Sequence, residues 1–96
     1  MAKLRMFSVR DSAVGLFSAP FFLRGRGEAF RAFQDEVNRP ESRIFAHPSD
    51  YALFEVGSFD EDGAIVETLP SPERLAMASD LVRKPVEPSD VPYVRH

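Results

Sequence analysis

The first apolar positions alternate with polar ones. Residues 3–10, Lys3-Leu4-Arg5-Met6-Phe7-Ser8-Val9-Arg10, have the two-residue period of a strand. Asp11-Ser12-Ala13 reads as a turn, and residues 14–18 read as a second strand returning as a hairpin until Ala19-Pro20 interrupts it. After the loop Arg24-Gly25-Arg26-Gly27 the period lengthens. Ala29, Phe30, Phe33 and Val37 share one side of a helix expected over residues 28–38, with Glu28 in its first turn, Arg39 at its other end and Pro40 as its stop. Ile44 and Phe45 form an apolar plug in the connection that follows, and His47-Pro48-Ser49-Asp50 has the composition of a tight turn.

Residues 51–59, from Tyr51 to Phe59, are the clearest strand, and 64–68 return as its partner. The turn between them carries Asp62-Gly63, a pair suited to the positive-φ positions of a hairpin. Ser71-Pro72 has the form of a helix start, with Leu75, Ala78, Leu81 and Val82 as the apolar stripe of a second helix ending at Lys84-Pro85. The expected order is β-β-α-β-β-α. This is an α+β fold, a small antiparallel sheet with two helices on one face, forming one domain over residues 1–84. Residues 85–96, rich in Pro, are expected to form a flexible or surface-draped tail.

Apolar residues fall on both sides of the expected strands. Phe7 and Val9 oppose Leu4 and Met6, while Tyr51, Leu53 and Phe59 oppose Ala52, Phe54 and Val56. Two helices on one face cannot cover both sets, so a second subunit, a nucleic acid or the tail is expected over the other.

Composition narrows the function. The chain has 96 residues, nine of them Phe, with no Trp and no Cys. The absence of Cys excludes disulfides, thiolate metal sites and a cysteine nucleophile. No apolar run suits a signal peptide or a membrane span, so a soluble intracellular protein without membrane contact is expected. The net charge of −3 is uneven: residues 1–43 hold eight Lys/Arg and five Asp/Glu, whereas residues 44–96 hold four and ten. The acidic total disfavours strong nonspecific nucleic-acid binding, but the basic first half supplies a local patch.

Several segments resemble the small non-structural proteins of microviruses, the tailless single-stranded-DNA phages of gokushovirus-like kind. The first runs from Pro20-Phe21-Phe22 through Glu28-Ala29-Phe30-Arg31-Ala32-Phe33 to Val37-Asn38. The closer one is Phe45 to Asp60, with the His47-Pro48-Ser49-Asp50-Tyr51 turn, an apolar strand and Gly57-Ser58-Phe59-Asp60. Asp11 after the first strand fits too, and the resemblance extends over about residues 5–82. It implies a protein made in the cytoplasm of the infected bacterial host, acting around genome replication or packaging, with single-stranded DNA as partner. The Gly/Arg-rich loop at residues 24–27 departs from the family pattern.

Among candidate sites, a single-stranded-DNA surface needs cations for phosphates and aromatics for bases. Lys3, Arg5, Arg10, Arg24, Arg26 and Arg31 are the candidate cations, and Phe7, Phe17 and Tyr51 the candidate platforms; Gly25 and Gly27 would let a strand approach closely. Asp60, Asp62 and Gly63 echo part of a calcium loop, but Ser58 and Leu69 stand where its first and last carboxylates belong. A plain hairpin and no metal are therefore expected. His47, Ser49 and Asp50 are neighbours in a turn, which is no catalytic arrangement. No catalytic residue and no cofactor are expected, and the protein is read as a non-enzyme. A homo-oligomer is expected from the second apolar face. The alternative function is a protein–protein interaction factor that binds phage replication or capsid-assembly components through the acidic second half.

Overall fold

A computed structural model describes residues 2–83 of the chain. It is a mixed α/β fold built on one curled antiparallel sheet. The strands are β1 (Lys3–Asp11), β2 (Leu16–Phe17), β3 (Phe21–Leu23), β4 (Tyr51–Asp60) and β5 (Ile65–Met77); the helices are α1 (Arg26–Val37) and the single turn α2 (Arg43–Ala46). Two 3-10 turns, Pro48–Asp50 and Ala78–Asp80, lead into β4 and out of β5. β1 and β4 are the central strands, β5 borders β4, and β2 and β3 both pair with the outer side of β1.

The break between β2 and β3 falls at Pro20, which lacks the N–H a ladder needs. Ser18 repairs it. Its Oγ accepts from the Val9 amide at 3.0 Å, and its carbonyl accepts from the buried Ser8 hydroxyl at 2.8 Å. The long β1–β4 ladder shifts register between Met6 and Phe7, where the partner steps from Gly57 to Glu55 and leaves Val56 as an extra residue. Such a bulge strengthens the local twist.

α1 begins at Arg26 and keeps the expected apolar side: Ala29, Phe33 and Val37 are buried. They pack on Phe7, Tyr51 and Leu53 of the sheet, joined by Ala78, with Phe21, Leu23, Ile44 and Leu75 closing the margin. Asn38 caps the helix. Its Nδ2 donates to the carbonyls of Gln34 (2.9 Å) and Leu81 (3.0 Å), and its Oδ1 accepts from the Arg83 amide at 2.8 Å. One side chain thus ties the helix end to the segment after β5. Ser42 starts α2, its Oγ accepting from the Ile44 amide.

The sequence-based helix over residues 71–84 is not formed; the chain continues as β5 to Met77 and then makes the 3-10 turn Ala78–Asp80. Consequently the order is β-β-β-α-α-β-β rather than β-β-α-β-β-α. β5 is an edge strand, and its prolines avoid the ladder. Between the pairs Glu55↔Glu73 and Gly57↔Thr68, the four residues Leu69 to Pro72 face the single residue Val56, so Pro70 and Pro72 sit in a bulge. Ser71-Pro72 suits that bulge as well as it suits a helix start. The apolar stripe read as helical still reaches the core, Ala78 fully buried and Leu75, Leu81 and Val82 packed at its margin. The β4–β5 hairpin turns through residues 61–64, where Ala64 rather than Gly63 takes the left-handed conformation, at φ 57°. Residues 84–96, read from sequence as a helix end and a tail, lie outside the described residues.

Candidate nucleic-acid interface

The sheet carries α1 on one face only. Strand pairing assigns the other. Ser8 pairs with Phe54, Arg10 with Ala52 and Phe17, Met6 with Gly57 and Phe22, and Leu4 with Phe59, so these residues share the face away from α1. β5 adds Arg74 opposite Phe54, Met77 opposite Ala52 and Val66 opposite Phe59. Two aromatic pairs lie on this face in edge-on contact. Phe17 meets Phe54 with ring centroids 5.1 Å apart, and Phe22 meets Phe59 at 5.9 Å. Phe17, Phe22 and Val66 are 41%, 40% and 56% exposed, enough area to contact a ligand.

The two ends of the face differ in polarity. The Arg10 guanidinium lies over the Phe17 ring, 5.8 Å from its centroid. Arg10 and Arg74 flank a shallow cavity of about 190 Å³ lined also by Phe54, Met77, Ala52, Ser12 and Asp50. Among the described residues neither arginine has a carboxylate within ion-pair distance. At the opposite end a notch of similar size is lined by Leu4, Phe22 and Phe59 alone, beside the hairpin turn Asp60-Glu61-Asp62.

The residues singled out from sequence fare unequally. Arg10 and Phe17 are together on the open face. Phe7 is fully buried and Tyr51 nearly so, both in the core beneath α1, where no base can stack on them. Burial first, and then the Asp11 carboxylate, holds the Tyr51 hydroxyl above the usual phenol range. Four of the six candidate cations are engaged by carboxylates. Arg26 grips the buried Glu55 at 2.6 Å and Glu73 at 2.9 Å, and Arg5 adds a contact to Glu55 at 3.3 Å. Arg24 pairs with Glu61 at 2.9 Å and Lys3 with Glu67 at 4.0 Å. The hydrogen bond to Glu55 raises the Arg26 pKa above that of a free arginine. Arg31 is exposed on α1, which covers the opposite face of the sheet. The Arg24–Gly27 loop is thus occupied in holding α1 to the sheet.

Sequence reading missed Arg74, Phe22, Phe54 and Phe59. Arg74 was hidden by the helical reading of its segment; strand alternation from Val66 onward, had it been continued, is interrupted by the bulge in any case. Phe59 changes face because Val56 is the extra residue of a bulge, which strict alternation does not anticipate. Elsewhere, Asp60 Oδ1 accepts from the Asp62 amide at 2.9 Å, so the acidic motif makes a turn between two strands. The His47–Asp50 segment closes on itself through the Asp50 amide and the His47 carbonyl at 3.0 Å. No helix among the described residues is long and apolar enough to cross a membrane.

Comparison with the curated proteins and with the solved structures finds no match. A family model described as Phage ORF5 protein matches residues 4–81, the span from the first residues of β1 to just past β5. That match covers most of the chain, and the protein belongs to the Phage ORF5 protein family.

Proposed function

We propose that this chain is a non-enzymatic phage protein of the microvirus type that binds single-stranded DNA on its helix-free sheet face. It would act in genome replication or packaging, in the cytoplasm of the infected bacterial host. The observation that carries this reading is the aromatic pair of exposed Phe17 and half-buried Phe54 beside Arg10 and Arg74. Bases stack on aromatic rings without regard to sequence, and adjacent guanidiniums take the phosphates. An antiparallel sheet with aromatics on an uncovered face is a recurrent platform for single strands.

Fluorescence titration with labelled oligo(dT) tests it. Binding is expected at low salt, weakening as salt rises with a log–log slope of about −1.4 if two phosphates are neutralised. Phe17→Ala should weaken binding by the roughly 1–3 kcal/mol of one stacked base. Arg10→Glu with Arg74→Glu should reduce affinity at least tenfold, about 1.4 kcal/mol. Arg24→Glu should change it little, since Arg24 already serves Glu61. No binding at low salt, or binding indifferent to Arg10 and Arg74, would overturn the reading. A flat titration would favour the second reading, a protein partner from phage replication or capsid assembly. That reading is supported by Ile65 and Val66, 54% and 56% exposed beside the acidic turn.

A further inference from the structure

We infer that the segment after Arg83, residues 84–96, covers the Arg10–Arg74 end of the helix-free face when no DNA is bound, and that single-stranded DNA displaces it. This rests on the DNA reading above, because it concerns the regulation of the same surface.

The last described residue lies near that end of the sheet. Met77 closes β5 opposite Ala52, which pairs in turn with Arg10. The turn Ala78–Asp80 then packs against Pro48–Asp50, and Asp50 lines the cavity of Arg10 and Arg74. The Asn38 side chain holds the Arg83 amide there, just past the end of α1. Glu87 and Asp90 stand four and seven residues further on, reaches of about 13 and about 24 Å in an extended chain. The run of the face from Ala52 to Phe59 is itself about 24 Å long. Both acids therefore reach the cavity, and the residues after them reach along the face.

Charge selects the place. Arg10, Arg74 and Asp50 are the charged groups lining the cavity, an excess of one positive charge. The groove between α2 and the β1–β2 connection sets Arg43 against Asp11 and Asp50, an excess of one negative charge with His47 neutral. Beside the acidic turn, Lys3 stands against Asp60 and Asp62. Residues 85–94 carry Glu87 and Asp90 and no Lys or Arg. Such a segment is attracted by the first of these depressions and repelled by the other two.

The order of residues in the segment fits the face as well. Glu87 and Asp90 are three apart, the repeat of the extended form that proline favours, so both can meet one surface. Val91, Tyr93 and Val94 follow, apolar groups for the Phe17–Phe54 pair. Pro85, Pro88 and Pro92 lack the N–H that addition to the edge of β5 would require, which leaves the face rather than the edge. The segment thus offers what a DNA strand offers: anions for the arginines and a ring for the rings. Because it is tethered, a weak contact suffices to keep it in place. It lowers the apparent DNA affinity in proportion to the time the face is covered.

The chain has no Cys, so Ser89→Cys places a single nitroxide label in the segment. Amide relaxation of the labelled full chain is the test. The label should broaden Arg10, Phe17, Ala52 and Arg74 and leave Arg31 and Ala32, on the exposed side of α1, sharp. Oligo(dT) should restore the broadened signals. Glu87→Gln with Asp90→Asn should remove the broadening and tighten oligo(dT) binding about fivefold, the change expected if the face is covered about four-fifths of the time. Broadening centred on Val14 and Arg43, or on no part of the sheet, overturns the inference, and oligo(dT) binding in that case leaves the DNA reading standing. Broadening that survives saturation with bound oligo(dT) overturns the displacement. Broadening at Arg10 and Arg74 in a chain that binds no oligo(dT), with or without the two substitutions, overturns both the displacement and the DNA reading.

Discussion

Two positions in the β4–β5 hairpin put opposite demands on the side chain they carry. A Cβ at Gly57 would run into the backbone carbonyl of Glu67 and press on the Met6 methyl group, so only glycine lets β5 approach here. Gly57→Ala should destabilise the fold by at least the roughly 1–3 kcal/mol of an overpacked site. Ala64 shows the opposite case, a side chain at φ 57° where glycine is preferred. Ala64→Gly should stabilise by about 0.5–1 kcal/mol, the left-handed cost of alanine less the chain entropy of glycine. Urea denaturation of both variants measures this, and a destabilised Ala64→Gly protein would place the left-handed position elsewhere. The need for glycine at 57 could not be read from the chain, because the contact is with a residue of the next strand. The expectation that Gly63 would hold the positive φ misplaced it by one residue. It set the four-residue turn at residues 60–63, whereas the chain makes it at 61–64.

At the scale of elements, α1 is held at its start by charge rather than by a cap. Gly25 precedes it with no side-chain cap, while Arg26 reaches back to Glu55 and Glu73, which oppose each other across β4 and β5. Removing the arginine would leave a carboxylate that is 6% exposed with only the longer Arg5 contact, beside a like charge. Arg26→Ala should lower the thermal midpoint by several degrees, whereas Arg24→Ala, at an exposed pair, should leave it nearly unchanged. Equal effects in calorimetry would remove Arg26 from this role. The α1 helix and strand β1 were legible because their apolar periods are unbroken, and β4 because its apolar run is long despite the bulge at Val56. β5 was not. Leu75, Ala78, Leu81 and Val82 keep helical spacing, yet Leu75 meets the core from β5, Ala78 from the 3-10 turn, and Leu81 and Val82 from the residues just after it. What overrides the local pattern is the backbone of β4, whose second edge needs a partner along its length.

For the whole molecule, the two-sided apolar pattern of the strands was the most informative feature of the sequence. The side away from α1 carries Phe17, Phe22, Phe54 and Phe59, and no other element lies over it among the described residues. Most of the candidate cations are paired with carboxylates, which the sequence does not show because partners in the fold are not neighbours in the chain: Arg26 and Glu55 are 29 residues apart. Arg10 and Arg74 remain, and they meet at one end of the open face. Amide chemical-shift mapping with oligo(dT) is the most direct test of that face as the binding surface. The expected result is perturbation of Arg10, Phe17, Ala52, Phe54 and Arg74, with the exposed side of α1 around Arg31 and Ala32 unmoved. Perturbation centred on α1, or none at all at saturating oligonucleotide, would contradict it.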